Sequence, residues 1–325
     1  EGFRGAYDLP NRDAYAETCA SIGLVFWAHR MLQIDLDSGY ADVMERAFFN
    51  GLLSGVSLDG ARYFYENPLS SEGDHHRQSF YSCSCCPPNV NRLLPTIGEY
   101  LYSITPDEID IHLYVQSQAV LEMDKGPLTI VQETDYPWDG IVCINFEMEA
   151  ARIFTLKLRK PGWCLEWQIY LNGVEISTLG SIERGYFVLS REWQPGDRLR
   201  LQWAMPAALV YPNPQIRADI GKAALVRGPL VYCLEEQDQI VALDQIYLSE
   251  NAVFDSEFRP DVLEGVVVVT GSAKVVDAED WGHALYRPRP PRYKSVPFRA
   301  IPYFAWDNRD GGAMRVWMPL VPVVK

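Results

Sequence analysis

The stretch SITPDEIDIHLYVQS, residues 103–117, decides the fold. Before it, apolar residues recur at helical spacing; from Ile109 onward they alternate with polar ones. Upstream, Cys19, Ile22, Phe26, Ala28 and Leu32 follow one another from Tyr15 toward QIDLDSG, which predicts a helix. A second segment, YADVMERAFFNGLLSGV (40–56), puts Val43, Ala47, Phe48, Gly51 and Leu52 on one stripe. A third, after Pro87 and Pro88, carries Val90, Leu93, Leu94, Ile97 and Leu101. Between the last two lies a polar loop rich in turn formers, ENPLSSEGDHHRQS (66–79).

Downstream the period is two. In DRLRLQWAM (197–205), Leu199, Leu201 and Trp203 point one way and Arg198, Arg200 and Gln202 the other, as in a half-buried strand. PLTIVQET (127–134) and RIFTLKLRK (152–160) alternate similarly, and turn signals such as DKGP, YLNG and QPGD recur between such runs. A join near PNPQIRADIGK (212–222) divides this part in two. The expected fold is α + β and multidomain: helices over 1–104, an antiparallel β-sandwich over 105–206 and a second over 207–325. Three helices make a poor catalytic core, and Glu1 is not an initiator Met. The chain is therefore expected to be the C-terminal part of something larger.

A net charge of −14 argues against nucleic acid or anionic membrane as a partner, since both reward positive charge. A neutral ligand such as a carbohydrate remains open. No apolar run approaches the roughly 20 residues of a membrane span, and the first residues lack the layout of a signal peptide.

Seven cysteines are present, three of them in YSCSCCPPNV (81–90). Adjacent cysteines rarely bridge each other, because a disulfide needs a particular separation and dihedral. Clustered thiols without an export signal point to metal or catalysis in a reducing compartment. Pro87 disfavours helical geometry at Cys86, so Cys86 is expected in a turn or extended, outside a helix beginning at Pro88. Glu17 and Cys19, in ETC, are the other half of a candidate site. Two apart on a helix they would diverge by about 200°; two apart in an extended segment they share a face. If both ligate one ion, the regular helix must start at or after Cys19. Glu17, Cys19, Cys85 and Cys86 would then offer one oxygen and three sulfurs, a set that suits tetrahedral zinc.

Taken alone, the residues leave three readings of this cluster: buried structural cysteines, a purely structural zinc, or a catalytic thiolate. Cys143, Cys164 and Cys233 lie in strand-patterned segments and read as packing, and Cys83 as packing beside the loop. His75 and His76 read as solvent-exposed loop residues, with metal or substrate contact as the alternative. Trp138, Trp203 and Trp281 read as core, with a sugar platform as the alternative.

YDLPN (7–11), YAETCASIG (15–23), YADVMERAFFNGLLSGVSLDG (40–60), FYENPL (64–69), CSCCPPNVNRL (83–93), GPLVYCLE (228–235) and VPFRAIPYFAWDNRDGGAMRVWMP (296–319) together resemble glycoside hydrolase family 127, the β-L-arabinofuranosidases. The resemblance runs almost from end to end. It implies an (α/α)6-barrel catalytic domain, of which this chain carries the C-terminal helices, followed by two jelly-roll-like β-sandwiches. It implies a retaining exo-glycosidase removing non-reducing terminal β-L-arabinofuranose through a cysteine nucleophile, with a zinc ion held by one Glu and three Cys. On this sequence those ligands are Glu17, Cys19, Cys85 and Cys86, the nucleophile is Cys85, the acid/base is Glu1, and Tyr65 lies near the sugar. The substrate would be an L-arabinofuranosyl oligosaccharide or a glycopeptide-derived sugar. The setting would be the bacterial cytoplasm, with no nucleic-acid or membrane partner and room for a homodimer. A non-catalytic carbohydrate-binding or assembly fragment with a structural zinc is the competing reading.

Overall fold

Asp37 opens the second helix by accepting a hydrogen bond from the Gly39 amide at 2.8 Å, a side-chain cap on an otherwise orphaned donor. In the computed structural model, which describes residues 5–124 and 126–322, the helices are α1 (Thr18–Ile34), α2 (Ser38–Arg46) and α3 (Cys86–Leu93). Beyond residue 105 the only α-helical piece among the described residues is the short turn Ala278–Trp281. The expected second helix is interrupted: after Arg46 the chain widens into a π-helical turn, Ala47–Leu52, and tightens into a 3₁₀ turn, Leu53–Gly55. Val43 is exposed, while Met44, Phe48 and Leu52 are buried. α3 ends where Pro95 enters a 3₁₀ stretch, Leu94–Tyr100.

α3 begins at Cys86, not Pro88. The prolines fall in the first turn, where a missing N–H costs nothing because those donors have no intrahelical partner.

The chain folds into two compact units. One contains the residues up to Ala20, Asn50–Cys86 and everything from Pro206; the other contains Ser21–Phe49 and Pro87–Met205. In the second unit a six-stranded and a five-stranded sheet share one apolar core, with Leu199, Leu201 and Ile144 from the first and Leu156, Phe187 and Trp193 from the other. The strand Arg198–Trp203 alternates as its sequence predicts. Not every pairing is antiparallel: Glu108–Ile111 runs parallel to Arg152–Arg159. That strand departs from the half-exposed pattern too, since Asp110 and His112 are buried beside Ile109 and Ile111. His112 is held neutral by burial, its pKa lowered to about 3, and bonds Tyr186 Oη and Ser103 Oγ, each at 2.8 Å. In the same unit Arg159, fully buried, bonds Glu45 and, at 2.6 Å, Asp42. Tyr136 donates to Glu45 at 2.7 Å, so the buried Arg159–Glu45 pair is matched in charge and hydrogen-bonded besides.

In the first unit nine strands form one hydrogen-bonded set, branched at Leu230–Glu235. One of its edge strands comes from the polar loop: Ser70–Glu72 pairs antiparallel with Ala313–Arg315. Phe64, two residues before that loop, sits in a core with Tyr303, Trp306, Met314 and Val316. Segments far apart in sequence thus meet to hold residues 56–86 in place.

Candidate metal centre and active site

Glu17 and Cys19 escape the divergence that a helix would impose. Glu17 forms an isolated antiparallel bridge with Glu66, and the Thr18 amide donates to the Tyr65 carbonyl at 3.0 Å. The chain is thus strand-like at Glu17 and helical from Thr18, one residue earlier than the spacing argument required. Cys19 stands in the first turn of α1, Cys85 ends the loop, and Cys86 opens α3.

The four side chains converge, and their donor atoms all lie within 4.8 Å of one another. Cys85 Sγ is 3.1 Å from Glu17 Oε1 and 3.8 Å from Cys86 Sγ; Cys19 Sγ is 3.5 Å from Cys86 Sγ. Cys86 is buried and the other three half-buried. The group could bind a metal ion. With protons as the only counter-charge, burial, followed by the Glu17 carboxylate and Cys19, pushes the Cys85 thiol up to about 12. Burial and Cys19 push Cys86 up as well. A bound cation acts in the opposite direction, and so do the helix N-termini at Cys19 and Cys86.

Tyr65 stands beside the group. Its hydroxyl shares a 3.3 Å hydrogen bond with that of Tyr15, and that bond, then burial and a hydrogen bond with Cys85, raise its pKa. An open cleft of about 370 Å³ adjoins it, lined by Tyr65, Glu66, His75, His76, Gln78 and Tyr81 among others. The two histidines do not join the four donors. His75, half-buried, stacks on Phe64 with ring centroids 4.9 Å apart and bonds the Glu66 carbonyl at 3.0 Å. His76, exposed, bonds Asp307 at 2.6 Å. Exposure describes His76 alone, and even it is anchored.

Glu1 lies outside the described residues. Cys83 is exposed, which corrects its reading as a packing residue; Cys164 and Cys233 are buried, and Cys143 is half-buried. Trp203 is in the core, which removes it as a sugar platform, while Trp281 is half-buried with Arg287 4.1 Å over its ring.

One residue that shapes the site escaped the sequence argument. Arg77, in a polar loop, would be taken for solvated, yet it is buried and bonds the carbonyls of Ser54, Phe304 and Trp306. Asp307 accepts from the Arg77 amide at 2.7 Å as well as from His76. Nothing local in the sequence marks Arg77, because its partners come from two distant turns.

Residues 1–99 match the domain described as "Beta-L-arabinofuranosidase, GH127 catalytic domain". Residues 108–205 match the GH127 middle domain and residues 207–319 the family's C-terminal domain. The chain is 32% identical over 339 residues to the non-reducing end β-L-arabinofuranosidase of Bifidobacterium longum subsp. longum, covering 98% of this chain and 51% of that protein. It is similar to the crystal structure of a GH127 β-L-arabinofuranosidase from Geobacillus stearothermophilus, with a TM-score of 0.92 and 48% identity over 97% of this chain and 51% of that one. A second solved GH127 β-arabinofuranosidase gives a TM-score of 0.89 at 35% identity, with the same coverage. The chain therefore spans about half the length of these relatives. Among the described residues no helix is long and apolar enough to cross a membrane. With all three of its domains matched in order along the sequence, the chain belongs to glycoside hydrolase family 127.

Proposed function

We propose that this chain is part of a retaining exo-glycosidase that removes non-reducing terminal β-L-arabinofuranose, with Glu17, Cys19, Cys85 and Cys86 holding zinc and Cys85 as nucleophile. The observation that carries the reading is the spacing of the donors. Zinc bonds of about 2.3 Å to sulfur and 2.0–2.2 Å to oxygen make a tetrahedron with edges of about 3.5–3.8 Å. The separations of 3.1, 3.5, 3.8 and 3.9 Å straddle those edges. Bound zinc would keep the thiols ionised at neutral pH. Cys85 Sγ then attacks the anomeric carbon as the glycosidic C–O bond breaks and Glu1 gives its proton to the leaving oxygen. Water next attacks the same carbon, Glu1 takes its proton, and the C–S bond breaks to restore the thiolate. Tyr65 would hold the sugar beside Cys85.

The same reading assigns the helices to an (α/α)6 barrel and the sheets to jelly-roll-like sandwiches, with domains over 1–104, 105–206 and 207–325. Leu24, Trp27 and Ile34 of α1 are exposed apolar side chains that further barrel helices would cover. The substrate is an L-arabinofuranosyl oligosaccharide or a glycopeptide-derived sugar. The thiol content suits the cytoplasm, and a second copy of the chain is the only macromolecular partner proposed.

The test is covalent. A cysteine-directed arabinofuranose mimic, incubated with the whole zinc-loaded enzyme, should add its mass to the peptide carrying Cys85, and Cys85→Ser should abolish turnover while leaving the fold intact. A zinc-loaded enzyme that takes up no label and keeps its turnover in the Cys85→Ser variant overturns the assignment. Sugar binding without labelling or turnover would favour the binding-fragment reading.

A further inference from the structure

Thr18 stands between two of the four donors and is fully buried. Its hydroxyl donates to the Phe64 carbonyl at 2.9 Å, which uses its only proton. Its second bond, to the Asn67 side chain at 2.9 Å, must therefore be accepted from Nδ2. That fixes the Asn67 amide. Nδ2 also reaches the Ala16 carbonyl at 3.0 Å, while Oδ1 accepts from Ser54 Oγ at 2.9 Å. Asn67 and Ser54 are buried too, so every polar atom of this chain of side chains is satisfied away from water. The Thr18 methyl is sealed against Gly55, where an added Cβ would lie 2.4 Å from Thr18 Cγ2.

The bonds converge on one short piece of backbone. Ala16 is gripped by Asn67 through both its amide N–H and its side chain, and Thr18 through its own amide and hydroxyl. Glu17 lies between these two clamps and Cys19 follows the second. The switch from extended at Glu17 to helical at Thr18, which makes the two side chains converge, is the geometry the clamps enforce. Neither Thr18 nor Asn67 is one of the four donors, so both act through the residues they hold.

We propose that Thr18 and Asn67 are positioning residues for the metal centre, setting the direction of Glu17 and Cys19 toward the shared ion. The proposal rests on the reading that Glu17, Cys19, Cys85 and Cys86 hold zinc. Residues that orient metal ligands typically change affinity by about 10–100-fold when lost.

The experiment uses the whole enzyme and two readouts: zinc affinity by chelator competition, and the absorption spectrum of the cobalt(II)-substituted protein, which reports ligand geometry. Thr18→Val removes the hydroxyl at constant shape, Asn67→Asp removes both side-chain donors, and Thr18→Ser keeps the bonds. Thr18→Val and Asn67→Asp should each weaken zinc by about 10–100-fold and alter the cobalt spectrum, while Thr18→Ser should stay close to the parent in both. Tyr232→Phe, which deletes a buried bond to the Val267 carbonyl elsewhere in the same unit, controls for general loosening. The proposal is overturned if folded Thr18→Val and Asn67→Asp proteins bind zinc like the parent, or if Tyr232→Phe weakens it equally. It is also overturned if neither variant folds, since the role is then that of holding the fold. If Thr18→Val alone fails to fold, Asn67→Asp decides. A parent enzyme that takes up no zinc instead sinks the reading of the site itself.

Discussion

Arg77 donates twice to one carbonyl, that of Ser54, from Nε at 3.1 Å and from Nη2 at 2.8 Å. Its remaining reach goes to the carbonyls of Trp306 and, at 3.1 Å, Phe304, and its guanidinium lies 4.2 Å over the Phe64 ring. Burial pulls its pKa down to about 10, so it remains charged at neutral pH beside Asp307. Only a planar group with several donors satisfies this many acceptors at once.

Arg77→Ala should therefore lower stability by about 3–5 kcal/mol, because it takes the buried guanidinium away from Asp307 and its donors away from the Ser54, Phe304 and Trp306 carbonyls. Arg77→Lys should recover only a fraction. Urea unfolding of the two variants checks this, and a lysine variant as stable as the parent would contradict it.

Glu45 and Arg159 give a second test, in the other unit. Both are buried, and Glu45 also accepts from Tyr136 and from Trp163 Nε1 at 3.3 Å. Glu45→Ala should cost about 3–5 kcal/mol, whereas the double variant Glu45→Ala with Arg159→Met should lie closer to the parent, since the buried guanidinium that Glu45→Ala leaves with Asp42 alone is then gone. Additive losses in the double variant would refute the coupling.

Asp110 predicts a pH dependence. Burial, reinforced by Glu108 and opposed by Lys157, raises its pKa from 3.8 to about 7, and its Oδ1 has no hydrogen-bond partner. An acid with a raised pKa binds more protons folded than unfolded. Its contribution is therefore full below about 3.8 and is lost as the pH climbs through about 7. The Asp110→Asn variant should show a flatter fall in unfolding free energy between those limits. An unchanged slope would count against it.

Tyr65→Phe tests the neighbour of the prospective nucleophile. Losing a hydroxyl that bonds Cys85 should lower kcat/KM by about 10–100-fold, the value of a hydrogen bond to a charged group, while zinc content holds. Steady-state kinetics with metal analysis separates the two, and full activity would remove Tyr65 from the site.

What the sequence disclosed follows from how local each signal is. Arg198–Trp203 was legible because one face meets solvent and the alternation is real. Ile109–Tyr114 carries similar lettering yet is buried throughout, because His112 and Asp110 sit under cover and His112 finds buried partners. Crowded thiols pointed to Cys85 and Cys86, and the ETC stretch offered Glu17 and Cys19 as the other half, before the long motifs matched all four. The pitch change after Arg46 has no such marker, since Ala47–Leu52 still spells a helix. Arg77 stayed hidden because a charge in a polar loop looks solvated until carbonyls from residues 54, 304 and 306 are known to surround it.

The pairing of Ser70–Glu72 with Ala313–Arg315 sets an order of events during synthesis. Every prospective ligand has been synthesised once residue 86 is made, yet the partner strand of Ser70–Glu72 and the Phe304 and Trp306 carbonyls that help hold Arg77 are some 220–240 residues behind. At about 5–20 residues per second, the thiols wait ten seconds or more as an unbraced segment. Chains released after ending before residue 303 should leave Cys85 and Cys86 open to alkylation, and released chains that extend past residue 315 should close them.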